Sequence, residues 1–173
     1  MIKLNYLVFN SPLGWMGVLD SPRGLKRLVL PQSSPEQVLH LLSQPAMKQH
    51  NQSLSEAEAG HFGDLPDRIR DYLAGKAVSF SDKLDLSWAS AFQRRVWEVE
   101  RSIPYGETRT YAWIACKLSM PKAARAVGQA LAKNPLPIII PCHRVICSDG
   151  SLGGFGGGQA LKRRLLRIEA RAK

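Results

Sequence analysis

The chain has 173 residues, of which 45% are hydrophobic and 22% charged, and its formal net charge is +10. This length and composition are typical of a globular protein that forms one domain, or two small ones, around an apolar core. No apolar run reaches the length of a membrane span and the first residues have no signal-peptide layout, so we expect a cytoplasmic protein with no membrane partner.

Cysteine and histidine are few and scattered: the chain contains Cys116, Cys142, Cys147, His40, His50, His61 and His143. An odd number of cysteines in a chain that is neither small nor secreted argues against a disulfide framework. The spacings do not match a zinc motif, which needs about four close ligands. We therefore expect a reduced protein with no metal site.

The positive charge lies in one half of the chain. Residues 1–86 contain 9 Lys and Arg against 9 Asp and Glu, whereas residues 87–173 contain 15 against 5. Such an asymmetry indicates a polyanionic partner, nucleic acid first, although a solvated basic surface is the alternative. Charge alone favours nucleic acid only slightly.

In chain order, the sequence first predicts three strands separated by turns that contain Gly, Pro, Asn and Asp: "LNYLVF", "WMGVLD" and "LKRLVL". A helix over "SPEQVLHLLSQ" follows, capped by Ser33 or Ser34, and a second helix over "DLPDRIRDYLAG" ends at Gly75. The polar segment 44–61 receives no assignment. Residues 76–88 have the character of a connector, which places a domain boundary there.

The second half begins with a predicted helix over "SAFQRRVWEVERS", in which Phe92, Val96 and Val99 share one face. A turn over "IPYGETRT" leads to two short helices, "YAWIACKLS" and "MPKAARAVGQALAK". These indicate either a helix-turn-helix or two ordinary packed helices, and their spacing favours neither. Small residues keep the second helix slim while Arg125 projects from it, which favours a groove-binding helix; they are Ala123, Ala124, Ala126, Gly128 and Ala130.

A glycine-dense loop, "GGFGGGQ", precedes a basic C-terminal helix whose predicted apolar face contains Leu161, Leu165, Ile168 and Ala172. Glu169 lies on the same face. A buried carboxylate is costly without a partner, so Glu169 needs a cation or a histidine nearby. The alternative is that it reaches solvent or pairs with Arg144.

The segment "NPLPIIIPCHRVICSDG" places Cys142 and His143 after an apolar stretch, predicted as a strand, that ends at Pro141. A lone cysteine is more often a small buried apolar residue than a nucleophile. Neighbours in a strand face opposite ways, so the thiol and imidazole can cooperate only where the chain bends or through a water. With Glu169 they supply a thiol, a base and an orienting carboxylate, as used by thiol hydrolases or in alkyl transfer.

The motif "PCHRV" preceded by "NPLPIII" resembles the active-site signature of the 6-O-alkylguanine-DNA alkyltransferases, also called methylated-DNA–protein-cysteine methyltransferases. The resemblance continues in register through "FQRRVWEVERSIPYGETRTYAWIA", "KAARAVGQALAKNP" and "LGGFGGGQALKRRLLRIE", and so covers residues 88–169. The first half is similar to the family's N-terminal domain more loosely, in "NSPLGWMGVLD" and "GLKRLVL".

The resemblance implies an α/β fold with a small ribonuclease-H-like N-terminal domain over residues 1–80 and a connector over 81–86. Residues 87–173 would form a mostly helical helix-turn-helix domain that binds DNA and accepts the alkyl group. The implied activity is single-turnover repair of 6-O-alkylguanine in double-stranded DNA by a monomer, with no cofactor.

For the reaction itself, the resemblance implies that Cys142 attacks the alkyl carbon as a thiolate. His143 would take the thiol proton through a water, Glu169 would polarise His143, and Asn134 would support the turn. Catalytic neighbours usually lower a cysteine pKa below its ordinary value of about 8.5, and the same is expected here.

For the substrate, the resemblance implies that the guanine is flipped out of the duplex. Tyr111 would crowd the 3′ phosphate and hydrogen-bond the flipped base, and Arg125, on the slim helix with Ala123, would fill the vacated stack. The carbonyls of Cys142 and Val145 would accept from the guanine amine. Phe155 and Gly156 replace a Tyr-Ser pair of many relatives; the Gly156 N–H would still face the departing oxygen.

Three alternatives make different predictions. An alkyltransferase-like protein would bind damage without repairing it, but such proteins replace the reactive cysteine, which is present here as Cys142. A thiol hydrolase would turn over repeatedly and would leave Tyr111, Arg125 and the basic half unexplained. A helix-turn-helix regulator would need no cysteine and would recognise a specific sequence.

Overall fold

The computed structural model describes residues 1–47 and 51–171, so His50 and Ala172 lie outside the described part of the chain. The chain divides into two compact units, Met1–Leu86 and Ser87–Lys173. Within the described ranges, no helix is long and apolar enough to cross a membrane, and no group of His, Cys, Asp and Glu could hold a metal ion.

The first unit contains a four-stranded mixed sheet with strand order β3-β2-β1-β4. The strands β1 (Ile2–Ser11), β2 (Gly14–Ser21) and β3 (Gly24–Gln32) form an antiparallel meander, which confirms the three predicted strands. The strand β4 (Gln52–Glu56) pairs parallel to β1 and lies in the segment that the sequence left unassigned. Its polar sequence, QSLSE, carries almost no apolar alternation, so only its pairing with β1 defines it as a strand.

Both predicted helices of this unit are present, as α1 (Pro35–Met47) and α2 (Leu65–Leu73). Gly75 ends the second, as expected: its φ is +97°, in the left-handed region that favours glycine, and its N–H donates to the Tyr72 carbonyl. The core between α1 and the sheet consists of Leu4, Leu19, Val29, Val38 and Leu42.

Gly17 lets α1 approach the sheet closely. A Cβ at this position of β2 would lie 2.5 Å from Cγ1 of Val38 and 2.7 Å from Cδ1 of Leu42. Both side chains are fully buried, so neither can move aside freely.

The second unit is mostly helical. Its helices are α3 (Ala91–Arg101), α4 (Tyr111–Lys117), α5 (Ala124–Ala132) and α6 (Gly158–Arg171). Helices α4 and α5 correspond to the two predicted short helices, and both pack against α3 and against each other. The Trp97 indole N–H of α3 donates to the Ala130 carbonyl of α5 over 3.1 Å, which fixes that packing.

Two helix starts follow from local sequence. Ser90 and Gln93 form a reciprocal capping box at the start of α3. Thr110 caps α4 by accepting the Trp113 backbone N–H over 3.0 Å. Thr110 also belongs to the short strand β5 (Arg109–Thr110), which pairs in parallel with β6 (Val145–Ile146).

The predicted strand before Pro141 is wrong. Residues 135–141 form turns, closed by the Ile140 N–H donating to the Leu136 carbonyl, and Ile138 has a φ of +77°. Prolines in "PLPIIIP" remove the N–H donors that a sheet ladder needs, so its apolar residues enter the core as a compact turn. A short 3-10 turn, Cys142–Arg144, follows it.

We predict that Gly17→Ala lowers the free energy of unfolding by about 1 to 3 kcal/mol, because the added methyl overpacks the core against Val38 and Leu42. Chemical denaturation measures the loss. Val38→Ala removes the nearest obstructing atom, so the glycine substitution should cost less in that background. Additive losses in the double variant would show that the close approach does not limit packing here.

Candidate active site

Cys142 is placed by the turn that precedes it. Its backbone N–H donates to the Ile140 carbonyl over 2.8 Å. Asn134 spans the same turn, because its Nδ2 donates to the Ile140 carbonyl over 2.8 Å and its Oδ1 accepts the Leu136 N–H over 2.9 Å. The cysteine is buried, with 8% of its surface exposed. The turn therefore fixes the backbone at a thiol that is almost closed off from solvent.

Glu169 of α6 is the centre of a buried charged cluster. Its Oε1 lies 2.6 Å from Nε2 of His143. The Arg144 guanidinium donates to both carboxylate oxygens at 3.0–3.1 Å and to the Ile103 carbonyl at 2.8 Å. The Gly106 N–H donates to Oε2 over 2.9 Å. Glu169 therefore contacts both partners that the sequence predicted as alternatives, a histidine and Arg144.

The cluster has a defined charge state. Burial alone would raise the pKa of Glu169, but the hydrogen bond with His143 and the Arg144 guanidinium hold it at about 2. Burial lowers the pKa of His143, and Glu169 opposes this only in part. We conclude that Glu169 is ionised and His143 neutral at pH 7. An ionised carboxylate has no proton to donate, so Nε2 carries the imidazole proton and Nδ1 is the basic nitrogen.

The resting thiol is protonated, which contradicts the expectation of a lowered cysteine pKa. Burial raises the pKa of Cys142 to about 12, and the nearby Glu100 carboxyl adds to the shift. A hydrogen bond with Asn134, the Lys162 ammonium and a backbone hydrogen bond oppose the rise without cancelling it. Desolvation of the thiolate outweighs its stabilising neighbours in the protein alone.

Two charged residues of this site escaped the sequence analysis. Lys162 is fully buried, and its Nζ donates to the carbonyls of Val145 over 2.6 Å and Gly154 over 3.3 Å. Glu100 of α3 is also fully buried. Helical spacing could have found both, because Glu100 lies one turn after the buried Val96, and Lys162 shares a face with Leu165 and Glu169.

The buried faces of α6 and α3 are rotated relative to the faces that the sequence predicted. In α6 the fully buried positions are Lys162, Leu165 and Glu169, while Leu161 and Ile168 are half-buried. In α3 the prediction placed Phe92 and Val99 beside Val96, but both are half-buried, and Trp97 and Glu100 are buried instead. Apolar residue type therefore misplaced both faces by about one position.

Tyr111 lies between the glycine loop and α5. A Cβ on Gly153 would lie 2.7 Å from the tyrosine Oη, and one on Gly128 would lie 3.7 Å from its ring. Burial raises the pKa of Tyr111, and the thiols of Cys147 and Cys142 add to the rise, which places the phenol in the electrostatic range of the reactive cysteine.

The remaining predicted substrate residues occupy different environments. Arg125 is exposed in the first turn of α5, and Ala123 immediately precedes that helix. Val145 is buried, and its carbonyl already accepts a hydrogen bond from Lys162. Phe155 is half-buried, whereas Gly156 is exposed with nothing within 4 Å of a Cβ built there.

The sequence of this chain is similar to those of named DNA methyltransferases. Residues 91–171 match the family model described as 6-O-methylguanine DNA methyltransferase, DNA binding domain. The chain is 48% identical over 112 residues to the methylated-DNA–protein-cysteine methyltransferase of Mycobacterium tuberculosis, covering 65% of this chain and 67% of the relative. It is 36% identical over 164 residues to the Methanosarcina acetivorans protein of the same name, covering 95% and 97%.

Solved structures agree with the sequence comparison. The crystal structure of Mycobacterium tuberculosis OGT in complex with DNA superposes with a TM-score of 0.78 at 37% identity, covering 97% of this chain and 94% of that one. The O6-methylguanine-DNA methyltransferase of the archaeon Pyrococcus kodakaraensis gives 0.71 at 29% identity, covering 96% and 98%. The α/β fold, with its small mixed sheet and helices, is therefore shared with these proteins.

The charged cluster predicts how stability depends on pH. Glu169 has an ordinary pKa of 4.5 and a folded value of about 2, so its stabilisation is present above 4.5 and is lost as pH falls toward 2. Glu169→Gln should lower the free energy of unfolding at pH 7 by about 3 to 5 kcal/mol, because it leaves a buried arginine without its carboxylate. It should also flatten the acid limb of the stability curve. Denaturation from pH 2 to 7 tests this, with the exposed Glu98→Gln as control; equal losses in the two variants would contradict it.

Proposed function

The chain belongs to the methylated-DNA–protein-cysteine methyltransferase family, and from this premise we propose that it repairs DNA by moving an alkyl group from the 6-O position of guanine to Cys142. The observation that carries the assignment is the placement of Cys142 directly before the buried pair of His143 and Glu169, whose nitrogen and oxygen are 2.6 Å apart. A thiol, a neutral imidazole and an ionised carboxylate are the groups that nucleophilic transfer to sulfur needs.

In the proposed reaction the Cys142 sulfur attacks the alkyl carbon, the carbon–oxygen bond of the modified guanine breaks, and the electron pair leaves with the oxygen. The thiol proton passes through a water to Nδ1 of His143, and Glu169 stabilises the imidazolium that forms. Burial raises the pKa of the resting thiol to about 12, so we propose that the proton is lost mainly as the substrate docks. Asn134 keeps the turn in place during this step.

The product is a thioether, which no further group in the site can cleave. Each molecule therefore acts once, as a stoichiometric acceptor, and the reaction needs no cofactor or metal. This property separates the proposal from a thiol hydrolase, which would release its product and turn over.

For the DNA, we propose that α4 and α5 act as a helix-turn-helix and that the damaged base is flipped into the pocket at Cys142. Flipping costs a few kcal/mol, least for a poorly paired base. The exposed Arg125 is the side chain that would fill the vacated stack, and Ala123 would help to keep its helix slim enough for the groove. Tyr111 would crowd the 3′ phosphate and hydrogen-bond the flipped base. Trp113 of α4 has two cations 5.4 Å from the centre of its ring, Arg109 of β5 and Lys117 at the end of α4. Positive charge therefore lies at both ends of this helix.

The guanine would be held by backbone groups: the carbonyls of Cys142 and Val145 accept from its amine, and the Gly156 N–H faces the departing oxygen. A carbonyl has two lone pairs, so Val145 can keep its bond to Lys162 and still accept from the base. Phe155 and Gly156, which replace a Tyr-Ser pair of many relatives, would remove a hydroxyl near the guanine oxygen and enlarge the pocket.

For the whole chain, we propose a ribonuclease-H-like domain over residues 1–80, a connector over 81–86, and a DNA-binding and acceptor domain over 87–173. We propose that the protein acts as a monomer in the cytoplasm.

The first test is the stoichiometry of transfer. After incubation with duplex DNA containing 6-O-methylguanine, the intact protein should gain the mass of one methyl group, located on Cys142 by peptide mass spectrometry. Cys142→Ser should bind the same DNA without transfer, and Cys116→Ser should behave as wild type. Repeated turnover would support a hydrolase instead, binding without any transfer would support a damage-recognition protein, and label on Cys116 or Cys147 would contradict the assignment.

The second test concerns Arg125. Because only a duplex needs its stack held open, Arg125→Ala should slow repair of duplex DNA at least about tenfold more than repair of the free modified base, whatever the flanking sequence. Binding should weaken steeply with salt, since phosphate contacts release counterions. Arg23→Ala removes an equal charge from an exposed position in the first unit and is the control. An equal loss on both substrates would assign Arg125 a purely structural role.

A further inference from the structure

Glu100 is a buried carboxyl group that the proposed reaction does not use. It lies near the end of α3 with 0% of its surface exposed. Neither of its side-chain oxygens has a hydrogen-bond partner within the described residues. A buried acid without a partner is costly to keep, and costlier when ionised, so its presence within electrostatic range of Cys142 needs a physical reason.

Lys162 is a fully buried cation in the same unit. Its ammonium is fully buried and is bonded to two backbone carbonyls, and no carboxylate of the described residues lies within ion-pair distance of it. One of those carbonyls belongs to Val145, three residues after Cys142. A positive charge is therefore held without a countercharge next to the segment that carries the nucleophile.

Charged groups on several elements act on the pKa of Glu100. Lys162 of α6 and Arg144 of the 3-10 turn favour its ionised form, and burial opposes it more strongly, so the pKa of Glu100 is raised well above 4.5. Tyr111 of α4 is also within electrostatic range of Glu100, whose carboxyl adds to the rise in the tyrosine pKa. The one titratable residue of α5, Arg125, is exposed, and so are Cys116 and Lys117 of α4.

The nearby pair of Glu169 and Arg144 carries no net charge, and His143 is neutral. Whether Cys142 experiences the positive charge of Lys162 then depends on Glu100. A neutral Glu100 leaves the ammonium to stabilise negative charge on the sulfur, whereas an ionised Glu100 cancels it.

Resting on the proposed alkyl transfer, we propose that Glu100 is a positioning residue which, as a neutral acid, reserves the Lys162 charge for the Cys142 thiolate, and whose ionisation slows the reaction of that thiol. It acts through Lys162 and Cys142 and does not touch the substrate. The electrostatic support for the thiolate is therefore set by a carboxyl group on a helix, α3, that supplies none of the proposed reacting groups.

The test compares wild type with Glu100→Gln, which keeps the shape and removes the ionisation. The rate of alkylation of Cys142 by iodoacetamide, without DNA, is measured over the whole pH range in which the protein stays folded, and infrared difference spectra of wild type minus variant locate the pH at which Glu100 ionises. The two proteins should react equally at the acid end, and the variant should become about tenfold faster as Glu100 ionises in the wild type, since a nearby charge moves a pKa by roughly one unit or more. Glu98→Gln, an exposed glutamate on the same helix, should follow the wild type throughout.

Profiles that superimpose across the pH at which Glu100 ionises would overturn the proposal, and so would a variant that is slower by a constant factor, which indicates a packing role. Glu100→Leu serves as a second neutral variant if the glutamine disturbs the fold. Infrared difference spectra of wild type minus variant at pH 7 should contain the band of a protonated carboxylic acid; an ionised carboxylate there would also overturn it.

The iodoacetamide reaction does not depend on DNA, so it separates this proposal from the proposed function. A pH-dependent effect of Glu100 with no methyl transfer from alkylated DNA would leave the inference standing and refute the function. Normal transfer in the wild type with superimposable profiles would do the reverse.

Discussion

The charged cluster around Glu169 is the constraint on which the second unit depends. One carboxylate in the last turns of α6 accepts hydrogen bonds from His143, from Arg144 and from the Gly106 backbone, while Arg144 also holds the Ile103 carbonyl. These contacts join three stretches of chain that are far apart in sequence. A carboxylate is retained in an apolar interior only when its lone pairs are fully used, and this one uses them to fix the segment that carries Cys142.

The same interior that fixes the site also keeps it inactive. Burial holds Cys142 protonated, with a pKa of about 12, and holds His143 neutral. A protein that can react once gains from a thiol that reacts slowly with stray electrophiles in its free state. The site then reacts when a docked base brings the alkyl carbon to the sulfur and water can relay the proton to His143. Substrate binding therefore promotes the deprotonation of Cys142 that the raised pKa of the free thiol disfavours.

Sequence patterns located much of this arrangement and missed specific parts for physical reasons. Alternation and turn residues identified β1 to β3, and helical spacing placed Glu169 on a buried face, because those signals are local. The strand β4 was missed because its residues are polar and only pairing with β1 defines it. The proline-bracketed segment before Cys142 was predicted as a strand because an apolar run has the same sequence pattern whether it pairs in a sheet or forms a turn.

The charged interior was the hardest part to anticipate. Glu100 and Lys162 are residue types that normally lie on the surface, so their burial depends on tertiary packing and not on local sequence. The raised pKa of Cys142 has the same origin, since desolvation depends on what covers the thiol. Family resemblance supplied the roles of reacting residues, but it gave no information on a buried acid that carries no assigned role.

The most direct test of the central claim is the protonation state of His143, observed by nitrogen-15 NMR of the imidazole in the free protein between pH 5 and 8. The structure predicts a ring that is neutral at pH 7 and titrates below pH 6.5, with the proton of the neutral ring on Nε2 toward Glu169 and Nδ1 unprotonated. Titration at or above pH 6.5, or a neutral ring with its proton on Nδ1, would contradict the account, because burial would then not lower the imidazole pKa, or the nitrogen that should accept the thiol proton would already carry one.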